Sequence, residues 1–539
     1  MKNKLLARYQ RAYTLWRRQH YAEAEACLRR VWEQLGIKTL RGMLLLAYCQ
    51  REQRQIVSEI ATLRELLQTF AQAPEQELLA DAWSLLGAAL RELGGVRHAV
   101  TAFERAAAVE PRPAQRLVEL SNAIFTANAD PEAGEEAFRR LYAQYRQELS
   151  GLQLQAYPAA DWQHDRLRVG YLSADFGNHP VGQFIAPLFQ QYDRAHFAVY
   201  AYDRAPHEDA VAQALRAGDV VWRDVSGLSY AALAAQIRVD AIDILVDLGG
   251  HTANNALPVL ACRAAPVQIS GIGYFNSTGL RECAGFLSDV YCTPMSALLQ
   301  RGSGRIGWRG AAPYFNEQLL RMPHSHFCYA PFTHFPAVGP LPCQTRGYVT
   351  FGCFNNFAKV TDAMLGLWRQ ILMDVPTAHL LLKHSIFDSA EGREYCQKRF
   401  QRLELPLERI ELRGFSADYL AQYNDVDIAL DTAPYTGGLT TCEALYMGVP
   451  VVTLAGDRHG ARFGCSFLSN IGLAELVADT PARYVELATV LAGDPALLQQ
   501  MRAKLRTRMQ HSPLMDSQGY MRDLENIYQR LWRERRTIR

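Results

Sequence analysis

An all-α repeat domain followed by two doubly wound α/β domains is the fold class that this 539-residue sequence predicts. Three observations predict it. Residues 1 to about 150 keep a helical apolar period with few glycines. From Arg166, short apolar strands alternate with helical stretches, and at Gly347 that alternation begins again.

In the helical region, "AWSLLGAALRELGGVRHAVTAFERAAAVEP" has tetratricopeptide spacing. Trp83, Leu86, Gly87, Leu90, Ala99, Phe103, Ala106 and Pro111 take the small and large positions of a two-helix unit of about 34 residues. Small residues belong where the helices cross closely, and large ones fill the space between. A weaker copy, "HYAEAEACLRRV", puts Tyr21, Ala24, Leu28 and Val31 in register. Stacked units make a solenoid with a concave binding face. A plain helical cap on the next domain is the competing reading.

The middle domain, 151–340, opens with the strand "LRVGYLSADF" and continues through "FAVYAYD", "DAIDILVDLGGHT" and "APVQISGIGY", with helices such as "YAALAAQIRV" between them. The last domain, 341–539, repeats the pattern from "GYVTFGCFNNF" through "AHLLLKH", "RIELRGF" and "IALDTAP" to "VPVVTLAG". Two such domains in tandem enclose a cleft, and ligands bind outside the carboxyl ends of the strands. The final helices are expected to pack back across the domains. "MSALLQRGSGRIGWRGAAP" (295–313) reads as an exposed loop or insertion.

Composition excludes several classes. A formal net charge of +2 and no charge blocks argue against a nucleic-acid partner. The charged N-terminus lacks the apolar core of a signal peptide, and no apolar run approaches the ~20 residues that span a bilayer. Eleven cysteines are scattered without C-x-x-C pairs or histidines at zinc spacing, which argues for a reducing compartment and against disulfides or structural zinc. A cytoplasmic location, without metal or cofactor, is expected.

Four turns could carry chemistry. His179, in "SADFGNHPVGQF", lies at the carboxyl end of a strand, where a base or positioning group would face a cleft; closing the turn is the simpler role. "DLGGHTANN" places Asp247, His251 and Thr252 similarly, with glycines that allow close approach of backbone to a ligand. Asn355, Asn356 and Lys359 occupy a strand-to-helix turn suited to an anion, and a lysine there would stabilise a leaving diphosphate. After "IALD", Gly437, Gly438, Thr440 and Thr441 offer donors to phosphate, and Glu443, placed in the first turn of the next helix, could accept from ribose hydroxyls or simply favour the helix dipole. Tyr419 could stack on a base. No segment matches a P-loop or a strand-linked G-x-G-x-x-G, and no D-x-D-like pair is placed for a metal diphosphate. Metal-independent transfer from a nucleotide sugar fits best.

The blocks "RVGYLSADFGNHPVGQF", "ILVDLGGHTANN", "APVQISGIGYFNSTGL", "LLRMPHSHFCYAP", "TFGCFNNFAKVT", "DIALDTAPYTGGLTTCEALYMGVPVVTLAGDRH" and "SPLMDSQGYMRDLENIYQRLW" resemble, in order, the O-linked N-acetylglucosamine transferase family, most closely its SPINDLY-type and bacterial members. The resemblance runs from about Arg166 to the C-terminus. It implies a GT-B fold and an inverting transferase acting on Ser/Thr of proteins that the repeats recruit. It places the catalytic-site histidine on His179, the phosphate-stabilising lysine on Lys359 and the amide beside the diphosphate on Asn356. Base contacts fall near Gly414 and on Tyr419, the diphosphate turn on Gly438, Leu439 and Thr440, and the ribose carboxylate on Glu443. Leu439 replaces a threonine common in the family, which removes a hydroxyl from the phosphate turn. Protein O-fucosyl transfer, Asn-directed glucosyl transfer, a nucleotide-sugar epimerase and a repeat scaffold without turnover are the rival readings.

Overall fold

The computed structural model describes residues 2–160, 162–294 and 314–537, so the 295–313 segment lies outside the described residues. The chain divides into two compact units. One comprises Met1–Asp130, Phe354–Arg369 and Leu380–Ala417; the other comprises Pro131–Cys353, Gln370–His379 and Asp418–Arg539.

In the first unit, seven helices follow one another: α1 (Lys2–Arg17), α2 (Tyr21–Leu35), α3 (Leu40–Glu52), α4 (Ile56–Thr69), α5 (Gln76–Glu92), α6 (Val96–Val109) and α7 (Pro113–Ala127). Each packs on the next, as helix-pair repeats do. The expected small positions are where the helices touch: a Cβ at Gly87 would lie 2.8 Å from the Phe103 ring. Leu86, Ala99, Phe103 and Ala106 are buried, as are Ala24, Leu28 and Val31 of the weaker copy.

The same unit ties its repeats to a later helix, which here takes the label α15 (Ala390–Arg402). Glu391 accepts hydrogen bonds from the Val57 and Ser58 amides at 2.9 and 3.2 Å, supplying a carboxylate to the orphan N–H groups at the start of α4. Arg54 pairs with Asp388 at 2.8 Å.

The second unit starts with α8 (Glu135–Gly151), which therefore groups apart from the other N-terminal helices although it was expected with them. Its buried aromatic face explains this, because Tyr142 stacks on His251 and Tyr145 meets the same ring edge-on. A seven-stranded sheet follows: β1 (Leu167–Ser173), β2 (Phe197–Asp203), β3 (Val220–Asp224), β4 (Ile244–Asp247), β5 (Val267–Ser270), β6 (Gly285–Asp289) and β7 (Gln318–Met322). Their order, β3-β2-β1-β4-β5-β6-β7, with all registered pairs parallel, is that of a doubly wound sheet. Helices α9 (Gly182–Gln190), α10 (Ala210–Arg216), α11 (Tyr230–Val239) and α12 (Leu257–Ala261) connect the first strands.

After α13 (Pro342–Arg346), a second sheet is built from β8 (Thr350–Cys353), β9 (His379–Lys383), β10 (Ile410–Arg413), β11 (Ile428–Leu430), β12 (Val451–Leu454) and β13 (Val477–Ala478), in the order β10-β9-β8-β11-β12-β13. Its helices are α14 (Asp362–Asp374), α15, α16 (Leu439–Tyr446), α17 (Phe463–Asn470), α18 (Pro481–Ala492) and α19 (Pro495–Gln510). The last helix, α20 (Ser517–Thr537), packs on α9, β5 and β7, and the Tyr528 and Tyr171 hydroxyls meet at 3.3 Å. The chain thus returns to its first sheet, as expected of the final helices. Sequence patterning misses β3, β6 and β7. β3 is an edge strand with a mixed burial pattern and no apolar run to announce it.

Among the described residues no helix is long and apolar enough to cross a membrane.

Candidate functional site

His179 sits in the turn between β1 and α9 with its side chain 44% exposed. Its Nδ1 accepts from the Val181 amide at 3.3 Å, so the neutral ring carries its proton on Nε2. Partial burial lowers its pKa, while Asp175, 3.7 Å from Nδ1, opposes that shift. A neutral His179 therefore presents an N–H donor through Nε2. That favours a positioning role over proton abstraction.

The β4 turn is internally satisfied. Asp247 is buried, and its carboxylate accepts from the Gly249 and Gly250 amides at 3.3 and 2.9 Å and from Ser270 Oγ at 2.7 Å. Gly250 needs its positive φ of 52°, and a Cβ there would fall 2.3 Å from Tyr274. His251 is 1% exposed, its Nε2 lies 3.0 Å from the Thr278 carbonyl, and burial lowers its pKa to about 4. Thr252 donates to the Gly249 carbonyl at 2.7 Å. The three acceptor-side candidates therefore build the turn with side chains already committed.

In the first unit, Asn356 and Lys359 belong to a single 3-10 turn, Phe357–Lys359, that precedes α14, rather than to the first turn of α14 itself. The Asn356 side chain caps it by accepting from the Ala358 amide at 3.0 Å, which keeps its Nδ2 donors outward on an exposed residue. Gly414 is fixed from both sides: Lys383 Nζ donates to its carbonyl at 2.6 Å, and a Cβ would sit 2.0 Å from Asp388 Oδ1. Asp388 also accepts from the Phe415 amide at 2.7 Å. Lys383 and Asp388 were not anticipated, because nothing in the sequence pattern separates them from ordinary surface charge.

The β11–α16 turn gathers the most chemistry. Asp431, at the end of β11, accepts from the Thr432 and Gly437 amides at 2.9 and 2.7 Å and from Thr453 Oγ1 at 2.8 Å. The Gly437 amide, expected as a phosphate donor, is thus spent on Asp431. Gly438 is the N-cap of α16, so Leu439, Thr440 and Thr441 supply its first-turn amides, an anion-binding arrangement that survives the loss of a hydroxyl at Leu439. Glu443 lies in the second turn, not the first. It is too far along to cap the helix, which removes the simpler of its two expected roles. Instead it is 4% exposed and accepts from the Tyr419 hydroxyl at 2.5 Å. Burial raises its pKa to about 7, with the Tyr419 and Tyr423 hydroxyls opposing the shift. Tyr423 donates to the Thr440 carbonyl at 3.2 Å, so one aromatic segment braces both the carboxylate and the helix start. A buried carboxylate held at a helix N-terminal turn is suited to a vicinal diol beside a phosphate.

Comparison with known proteins agrees. A model of glycosyl transferase family 41 matches residues 150–322 and 343–524. The probable UDP-N-acetylglucosamine–peptide N-acetylglucosaminyltransferase SPINDLY of Petunia hybrida is 37% identical over 404 residues, covering 74% of this chain and 41% of the relative. Its Arabidopsis thaliana counterpart is 37% identical over 376 residues, covering 68% and 40%. This chain spans about two fifths of the length of these relatives. A solved structure of a mutant Thermobaculum terrenum O-GlcNAc transferase is 30% identical with a TM-score of 0.82, over 99% of this chain and 98% of that one. The architecture is the expected GT-B type, two Rossmann-like sheets preceded by repeat helices. The chain belongs to glycosyl transferase family 41.

Proposed function

We propose that the protein transfers a sugar, N-acetylglucosamine by first choice, from a nucleotide sugar to Ser/Thr hydroxyls of a protein, with inversion and without a metal on the diphosphate. The observation that carries this reading is Glu443: a buried carboxylate braced by Tyr419 beside the α16 N-terminus. Its partner is a ribose diol, with the diphosphate on the amides of Leu439, Thr440 and Thr441. The names of the SPINDLY and Thermobaculum relatives support the donor and the peptide acceptor. The acceptor oxygen attacks the anomeric carbon opposite the diphosphate, forming the glycosidic C–O bond as the C–O bond to phosphate breaks. The diphosphate leaves with the electron pair, and the hydroxyl proton passes to solvent. His179 orients the reacting groups by donation from Nε2, and Lys359 neutralises charge on the leaving diphosphate. The repeats recruit the protein acceptor, and the reaction takes place in the cytoplasm.

The test is nucleotide release and binding with EDTA present, using UDP-N-acetylglucosamine, UDP-glucose and GDP-fucose. Turnover of the first donor alone is expected. Lys359→Ala should lower kcat by about 10²- to 10³-fold with a small change in donor Kd, as for loss of one transition-state stabiliser. Binding of none of the three donors would overturn the reading.

A further inference from the structure

Cys292, His326 and His459 come from distant stretches of the sequence and meet inside the second unit, in the loops that follow β6, β7 and β12. One sulfur and two ring nitrogens, one atom from each, lie within 4.8 Å of one another, and all three side chains are buried. Proximity alone would be core packing, but two further features point to a ligand.

The first is His459. It is 1% exposed, yet neither ring nitrogen has a hydrogen-bond partner among the described residues. The nearby Phe275 main chain favours its protonated form but does not reach hydrogen-bonding geometry. Buried polar groups are almost always satisfied, and an orphan needs a reason, an ion or water included. Water is the weaker answer here, since it needs two to four polar partners and the rings of Phe286, Phe315 and Phe463 surround this imidazole.

The second is the support behind His326. Its Nδ1 lies 2.6 Å from Asp289 Oδ2, and Asp289 is itself held by the Cys292 amide at 2.7 Å, the His326 amide at 3.1 Å and Ser466 Oγ at 2.9 Å. A carboxylate on one ring nitrogen fixes the tautomer and leaves Nε2 for a metal, as metal-binding histidines are usually supported.

We propose that Cys292, His326 and His459 bind one zinc ion that pins these three loops together. A Cys/His/His donor set is well suited to zinc. On binding, the thiol S–H bond breaks, its proton goes to solvent and an S–Zn bond forms, while both imidazoles bind neutral. The fourth position falls to water or to buried Cys465, whose charge is felt at Cys292. The ion acts on the fold, so it is compatible with transfer that needs no metal at the diphosphate. The long separations between the ligands explain why sequence spacing gave no zinc signal.

The test uses the full chain without a histidine tag, incubated with zinc, passed over chelating resin and assayed by elemental analysis. About one zinc per chain is expected, and Cys292→Ser and His459→Gln should each lose it. Cobalt(II) in place of zinc should give a thiolate charge-transfer band that is missing in Cys292→Ser. If the variants misfold, X-ray absorption of the wild-type zinc form decides: a sulfur at about 2.3 Å with nitrogens near 2.0 Å supports the site. No retained zinc, variants that retain as much as wild type, or a shell without sulfur would each overturn it.

Discussion

Two turns within one compact unit start from the same anchor and end differently. At the end of β4, Asp247 takes two glycine amides and the Ser270 hydroxyl of the neighbouring strand. Just past β11, Asp431 takes the Thr432 and Gly437 amides and the Thr453 hydroxyl of its neighbouring strand. In each sheet a buried carboxylate therefore organises a glycine-bearing turn at the carboxyl end of a central strand. The first turn then closes over His251, sealed by Tyr142, Tyr145 and Tyr274. The second leads into α16 and keeps a carboxylate, Glu443, whose tyrosine partner lies on a half-buried segment. The difference shows that a Gly-Gly turn after a strand fixes backbone geometry in either case. Ligand chemistry depends on whether the next polar side chain is consumed internally.

The largest expected effect tests the shared anchor. Asp247→Ala and Asp431→Ala each leave three donors without an acceptor, at about 1–3 kcal/mol per buried group, so each should cost roughly 3–5 kcal/mol with some relaxation. Urea unfolding of both variants measures this. If one proves nearly neutral, the two anchors are not equivalent.

The next prediction separates the two turns. His251→Ala opens a cavity among three tyrosines and should cost about 2–4 kcal/mol of stability with the nucleotide Kd unchanged. Glu443→Ala should do the reverse: hydrogen bonds to a charged group contribute about 1.5–3 kcal/mol, so UDP Kd should rise roughly 10- to 150-fold with little loss in Tm. A His251 variant of normal stability that fails to bind nucleotide would return the β4 turn to the ligand site.

These contrasts also show what was legible in the sequence. The strands β1, β4, β8 and β11 stand out because they are short apolar runs ending in Gly, Asn or Asp, and the repeat stands out through Gly87 and Phe103. His179, Lys359 and the Gly438–Glu443 turn were found because strand ends and helix starts are where ligand groups collect. The anchoring role of Asp431 was not legible, since it depends on a hydroxyl two strands along in sequence order. The same holds for Tyr423 on Thr440 and for Lys383 on Gly414. The commitment of Asp247, His251 and Thr252 to their own turn was equally hidden, because a polar residue beside a glycine pair looks the same whether or not its partner is internal.

Protonation gives a third, smaller effect. Burial holds Glu443 near pKa 7, above its ordinary 4.5, and a diol needs the carboxylate form. Below about pH 7 a proton must leave on binding, so nucleotide Kd should rise as pH falls, approaching tenfold per unit. The sign for folding is opposite. A raised acid pKa means that the native state holds the proton more tightly, so this group's stabilising contribution is full below 4.5 and is lost as pH rises to 7. Comparison with Glu443→Gln isolates both slopes; His251, neutral down to about pH 4, should contribute to neither above pH 5.

Tyr419→Phe gives the smallest change and the most specific one. The ring remains, so any base stacking is kept, and only the hydroxyl on Glu443 is lost. A single hydrogen bond of this kind contributes about 1 kcal/mol, which sets the expected rise in UDP Kd at roughly fivefold near neutral pH. The hydroxyl also favours the charged carboxylate, so its removal should move the Glu443 inflection to higher pH. Affinity measured by calorimetry from pH 5.5 to 8.5 should therefore recover toward wild type at the alkaline end. A fivefold loss that is flat with pH would mean that Tyr419 contacts the nucleotide directly and that its bond to Glu443 is incidental. A recovery that follows the shifted inflection would mean that the tyrosine acts through the carboxylate, and that holding this one side chain charged is what distinguishes the β11 turn from its counterpart after β4.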